Sequence, residues 1–162
     1  MRYLQLFETY YNKDIPIKLY HSSDFKFKKF ELRKGYRTHL IDSMEVESLA
    51  IFLTDDIAPS REYGNSYTYE CGVISKKSLD WSEYIDEISY SWITTNLGDI
   101  IPYDTVEYWS LLDDTRVVEY LKKRGVDCVL LTEYSENVND VFMTYAIFDP
   151  NNIRILNRIK NM

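Results

Sequence analysis

Leu49-Ala-Ile-Phe-Leu-Thr-Asp-Asp-Ile-Ala-Pro-Ser-Arg-Glu-Tyr63 changes character half-way along. Ser48 to Leu53 is a short apolar run of the kind that forms a buried strand. Thr54 or Asp55 can then accept from unpaired backbone N–H groups, so a helix is expected to start there and run to about Tyr63. Pro59 belongs in its first turn, where a missing donor costs little. Gly64 is a natural stop. The stretch therefore predicts a strand feeding directly into a short helix.

The flanking sequence extends the pattern in both directions. Upstream, Ile15 to His21 alternates as a strand does, and residues 24–45 predict loop and irregular structure around Phe25, Phe27 and Phe30. Downstream, Tyr67 to Ile74 is rich in strand formers, with Gly72 as a candidate bulge. Residues 79–112 carry Trp81, Trp92 and Trp109 among many acids and have no clean period, so helical pieces and loops are expected. Asp113 or Asp114 can cap a helix whose Val117, Val118 and Leu121 face a core, with Gly125 ending it. Val126 to Thr132, Val141 to Phe148 and Ile153 to Ile159 predict three closing strands, the first two joined by an acidic turn from Glu133 to Asp140. Without repeats or an obvious linker, the expectation is one mixed domain dominated by short strands.

At 162 residues the chain is long enough to bury a real core. A net charge of −7 argues against extended nucleic-acid binding, which needs a clustered positive field. Fifteen tyrosines supply apolar faces with polar tips, suited to half-buried sheet positions and grooves for flat ligands. The two cysteines, Cys71 and Cys128, lie in apolar runs and are expected to be buried free thiols of a reducing compartment. They offer little support for zinc. No apolar run approaches the roughly 20 residues of a membrane span. A soluble, intracellular protein is the expectation.

Few residues suggest chemistry on their own. His21 ends a strand, where a hydrogen-bonded rim histidine is the ordinary outcome, and His39 lies in a polar stretch. Asp55-Asp56 and Asp113-Asp114 sit where helix N-termini favour negative charge. No nucleophile elbow or phosphate-cradling glycine loop is present.

Taken together, three segments resemble a known family. Tyr20-His21-Ser22-Ser23 is similar to the Trp/Tyr-His-Gly-Ser/Thr motif of the diphtheria-toxin-like ADP-ribosyltransferases and poly(ADP-ribose) polymerases. Ala50 to Tyr63 resembles their Gly-Ile-Tyr-Phe-Ala-Asp strand followed by Ser-x-x-Tyr. Thr144-Tyr-Ala-Ile-Phe-Asp149 resembles their Glu-Tyr-Ile-Val-Tyr-Asp strand. The resemblance implies an α+β fold over residues 13–162, with two packed antiparallel-rich sheets and a few short helices, and NAD as substrate. It implies catalytic positions at His21, Tyr63 and Thr144, with Ser22, Phe52, Thr54 and Ser60 completing the NAD site. His21 would bond a hydroxyl of the adenosine-side ribose, the Ser22 backbone would pair with the nicotinamide carboxamide, and Ser60 would donate to the carboxamide oxygen. Tyr63 would stack on the nicotinamide, with Phe52 as the facing wall in place of a Tyr.

The chain departs from that family twice. Ser22 replaces the usual Gly, which narrows close backbone approach. Thr144 replaces the Glu that would orient the nicotinamide ribose. Breaking the nicotinamide–ribose bond develops oxocarbenium character, and losing a positioned charge there costs about 2.7–4 kcal/mol. In the family, loss of that Glu accompanies mono-ADP-ribosyl transfer or lost activity, so the resemblance implies transfer of one ADP-ribose to a host macromolecule rather than chain elongation. Glu133, Glu136 and Asp140 are the candidate replacement acids.

Met1-Arg-Tyr-Leu-Gln-Leu-Phe-Glu8 also resembles the capsid-targeting leaders of internal head proteins of large tailed phages, trimmed after Leu/Ile-x-Glu. That resemblance implies a leader within residues 1–12, packaging in a virion head and action in the host cytoplasm on an unidentified host protein. Two alternatives stand beside the enzyme. One is an inactive NAD- or protein-binding module of the same fold. The other is a protein–protein inhibitor with an acidic, Tyr-rich surface that includes the three tryptophans.

Overall fold

The computed structural model describes residues 18–32, 34–36, 45–81, 112–113 and 115–162. The strands are β1 (Leu19–Ser23), β2 (Lys34–Tyr36), β3 (Glu45–Glu47), β4 (Ile51–Thr54), β5 (Tyr67–Val73), β6 (Ser78–Asp80), β7 (Cys128–Ser135), β8 (Asp140–Ile147) and β9 (Ile153–Lys160). Helix α1 (Ile57–Ser60) follows β4 directly and tightens into a 3-10 turn at Arg61–Tyr63, and α2 is Thr115–Lys123. Seven strands form one mixed sheet in the order β6-β7-β8-β4-β1-β5-β9, and β2 pairs with β3 apart from it. Only the β6–β7 pair in the large sheet is parallel. The described residues are thus mostly sheet, and one long sheet stands where two packed sheets are expected from the sequence.

Strand alternation divides the core between the two faces. Val129, Leu131 and Ala146 point to one face, where Val117, Val118 and Leu121 of α2 pack with Leu79 and Trp81. Their neighbours Cys128, Leu130, Tyr145 and Ile147 point to the other, with Leu19, Leu53, Tyr69 and Phe30. Burial on both faces explains why β7 and β8 read as near-continuous apolar runs rather than alternating ones. We call these the helix face and the Tyr69 face.

Several local expectations are met and several are moved. Asp56, rather than Thr54 or Asp55, caps α1, its carboxylate accepting from the Ala58 N–H at 2.9 Å. Asp55 instead accepts from the Met143 N–H at 3.0 Å, tying the strand end to β8. Gly125 ends α2 with a φ of 78°, the left-handed conformation that glycine adopts without strain. The expected bulge at Gly72 lies instead between Glu70 and Cys71, opposite the extra residue Leu156 of β9. Residues 34–36, inside the stretch expected to be loop, pair as a strand with residues 45–47. Strand β7 runs on to Ser135, so Glu133 belongs to a strand and not to the acidic turn, which shrinks to residues 136–139.

Both cysteines are free and buried, and burial pushes each thiol up to about 12. Trp81 is fully buried, so it adds nothing to an exposed inhibitory surface. Trp92, Trp109, His39, Asp114 and residues 1–12 with their candidate leader lie outside the described residues. Among the described residues, no helix is long and apolar enough to cross a membrane.

Candidate functional site

The three motif segments become three adjacent strands in the middle of the sheet. β4 lies between β8 and β1, with Thr54 paired to Thr144 on one side and to Tyr20 on the other. β1 and β4 share that single pair, whereas β1 makes five with β5. Beyond Tyr20 the β1–β4 ladder stops, and the Phe52 carbonyl accepts from His21 Nδ1 at 3.0 Å. A carbonyl can only accept, so the neutral imidazole carries its proton on Nδ1 and presents Nε2 as an acceptor. Burial holds His21 below its ordinary value, with the Phe52 hydrogen bond acting in the opposite sense. The ring is neutral at pH 7.

His21 points to the Tyr69 face, edge-on to Phe30 at 5.2 Å and Phe27 at 6.1 Å. Phe27 in turn stacks on Tyr69 at 4.1 Å, and its N–H donates to the Tyr69 hydroxyl. An open pocket of about 190 Å³ lies here, lined by His21, Ser23, Phe27, Phe30, Ser48 and Ile51 among others. Small-molecule sites commonly hold about 300–1,000 Å³, so the pocket has room for part of a dinucleotide rather than all of it.

The other singled-out residues lie towards the helix face. Ser22 and Ser60 are joined directly, Oγ to Oγ at 3.0 Å. Ser60 donates its proton to the Ile57 carbonyl at 2.8 Å, so Ser22 must donate to Ser60. Ser22 then accepts from Thr68 at 2.9 Å, and Thr68 accepts from the Asn161 amide at 3.1 Å. Every hydroxyl of this relay is both donor and acceptor, which is what burial at 1–2% exposure for Ser60 and Ser22 demands. Thr54 donates to the Asp56 carbonyl at 2.7 Å. The hydroxyls of Ser22, Thr54 and Ser60 thus bind the protein's own groups and hold α1 against β1. Phe52 packs on the helix-face core. Tyr63 closes the 3-10 turn that follows α1; its side chain lies outside the described residues.

Gly64 has a different task from the one its sequence position suggests. Its φ of 174° is extended, so no left-handed cap is formed. A Cβ there would lie 2.5 Å from the Ser23 Cα. Glycine lets the end of the Ser60–Tyr63 segment run directly against β1.

Neither a protein-family model, a curated protein nor a solved structure matches this chain. The site therefore has to be read from its own residues. Thr144 is 1% exposed and its hydroxyl donates to the Glu133 carboxylate. Ser135, two residues on, donates to Glu62 from the 3-10 turn. These two contacts join the Ser60–Tyr63 segment, β8 and β7 along the helix face. Glu133, expected in the acidic turn, stands in β7, and the strand-forming Thr132 and Tyr134 on either side of it are the sequence signal for that position. Among the described residues, no group of three or more His, Cys, Asp or Glu is placed to hold a metal ion.

Proposed function

We propose that this chain is an ADP-ribosyltransferase-like protein that binds NAD and transfers one ADP-ribose to a host macromolecule. The observation that carries the reading is the adjacency of β8, β4 and β1. Three segments distant in sequence, each resembling one part of an NAD site, lie side by side, and the ladder between two of them opens at His21. The neutral His21 ring offers Nε2 to a ribose hydroxyl. The Ser22–Ser60 connection holds the Ser-x-x-Tyr segment against β1, on the sheet face opposite the His21 pocket. The one-sheet architecture is accommodated in this reading by the opening between β1 and β4, which acts as the division between two halves.

Calorimetric titration with NAD, together with label transfer from labelled NAD in a host lysate, tests the proposal. Wild type is expected to bind NAD and transfer label, and His21→Ala to lose both by tenfold or more. No binding by wild type refutes the reading. The substitution of Thr for Glu at position 144 favours a second outcome, binding without nicotinamide release, which reduces the protein to an NAD-binding module.

A further inference from the structure

Independently of the NAD reading, we propose that the C-terminal end of α2, with residues 74–77 beside it, is a docking surface for an acidic segment of a partner protein. Two stretches distant in sequence meet there. Lys122 and Lys123 lie in the last turn of α2, and Arg124 follows it. The Lys77 amino group donates to the Arg124 carbonyl at 2.9 Å, and the Asp127 N–H donates to the Lys77 carbonyl at 3.1 Å. The fold thereby gathers Lys76, Lys77, Lys122, Lys123 and Arg124 in one region of a chain whose net charge is −7.

These cations are more than the helix end itself needs. A helix C-terminus leaves carbonyls unpaired and attracts positive charge, but here those carbonyls have partners. The Leu121 carbonyl accepts from the Arg124 and Val126 N–H groups, at 3.0 and 3.1 Å, and the Lys122 carbonyl accepts from the Gly125 N–H at 2.9 Å. The Tyr120 carbonyl accepts from the Arg124 guanidinium at 3.3 Å. Nor do nearby acids neutralise the ammonium groups. The Asp127 carboxylate accepts from the Ser75 hydroxyl and from the backbone N–H groups of Lys76 and Lys77. Glu119 stands one turn before Lys122 and Lys123 and forms no ion pair with either. Among the described residues, Lys76, Lys122 and Lys123 have no acidic partner, and all three are exposed.

Two further features suit a protein partner. The Arg124 guanidinium lies over the Tyr120 ring, 3.3 Å from its centre, so its planar fork is already oriented and a carboxylate that joins it immobilises little more of the side chain. Ile74, two residues before Lys76, is 69% exposed. It offers an apolar contact beside the cations, which a phosphate backbone would not use. Nucleic acid or an anionic membrane would extend past the patch onto the acidic remainder of the chain, where like charges repel. A short acidic segment covers the cations alone, and opposite charge steers its approach.

The test presents the full 162-residue chain with three probes: a labelled Glu-rich peptide with a central Leu, a labelled single-stranded oligonucleotide, and phosphatidylserine vesicles. Anisotropy reads the first two and co-sedimentation the third. Wild type is expected to bind the peptide best, and to lose affinity as ionic strength rises from about 0.01 to 0.1 M, where the screening length falls from about 30 to 10 Å. At the higher salt, Lys122→Glu with Lys123→Glu should weaken peptide binding about tenfold or more, and Lys122→Gln with Lys123→Gln about threefold. Lys26→Glu with Lys28→Glu makes the same charge change at another exposed basic run and should stay within about twofold of wild type. No peptide binding by wild type overturns the assignment. So does unchanged affinity after reversal at Lys122 and Lys123, or an equal loss in the Lys26 and Lys28 pair. Tighter binding of the oligonucleotide or the vesicles overturns the acidic protein partner. Should the Glu pair fail to fold, wild-type affinity in the Gln pair overturns the proposal by itself. None of these outcomes touches NAD binding, which is measured separately.

Discussion

Gly64→Ala adds one methyl group where the chain runs directly against the β1 backbone. The new Cβ would meet Ser23 Cα at 2.5 Å and Ser23 C and N at 2.7 Å. Carbon contacts are optimal at about 3.5–4.0 Å, so the overlap is roughly 1 Å. The obstructing atoms are backbone and cannot rotate away, so β1 and the Ser60–Tyr63 segment must separate. Overpacking of this kind costs about 1–3 kcal/mol, and an unyielding neighbour puts it at the upper end. The extended φ of 174° suits alanine, and the stiffer unfolded chain offsets about 0.4–1 kcal/mol. The net destabilisation is about 2 kcal/mol, or roughly 4–8 °C in Tm for a chain of this size. Gly72→Ala is the control, because its Cβ would make ordinary contacts of 3.6–3.8 Å with Leu156. Urea denaturation of both variants measures the difference, and NAD titration should show a parallel loss of affinity in Gly64→Ala alone. Equal midpoints for the two variants would refute the close-approach reasoning.

Ser22→Ala removes the centre of the buried hydroxyl relay and leaves Ser60 and Thr68 each short of a partner; a loss of about 1–3 kcal/mol is expected by chemical denaturation, and a change under 0.5 kcal/mol would contradict the relay. Because burial lowers the folded His21 value, the unfolded chain binds a proton first on acidification, so this contribution to stability is present above about 6.5 and lost as pH falls through the folded value. An NMR titration of His21 in a His39→Gln background should give a midpoint below 6.5, and one at or above it would contradict the burial. Cys71 and Cys128 are held up to about 12 from 9.0, so their contribution is intact below pH 9 and lost as pH rises through 12. At pH 8 a thiol reagent should leave both unmodified until denaturant is added, and rapid labelling of the native protein would argue against their burial.

Much of the local structure is legible residue by residue. The Val117, Val118 and Leu121 spacing specifies α2, Gly125 ends it, and the apolar runs around Cys128 and Tyr145 specify β7 and β8. These signals lie within about ten residues of chain, where periodicity and capping chemistry operate. Tertiary structure alone decides which strands are neighbours, because burial on both faces of a sheet does not name the partner strand. It also decides which hydroxyl meets which group. His21 reaches Phe52 across 31 residues, Ser22 reaches Ser60 across 38, and Thr68 reaches Asn161 across 93. The sequence by itself determined a set of strands, one amphipathic helix and two buried thiols, and raised from three segments the expectation of an NAD site. Only the fold set those segments side by side, satisfied Ser22 and Ser60 through each other, Thr68 and the Ile57 carbonyl, ran Gly64 against Ser23, and brought the Glu133 carboxylate to Thr144. The physical reason is that hydrogen-bond satisfaction and close packing are long-range conditions, imposed when the strands assemble and written in no single stretch of chain.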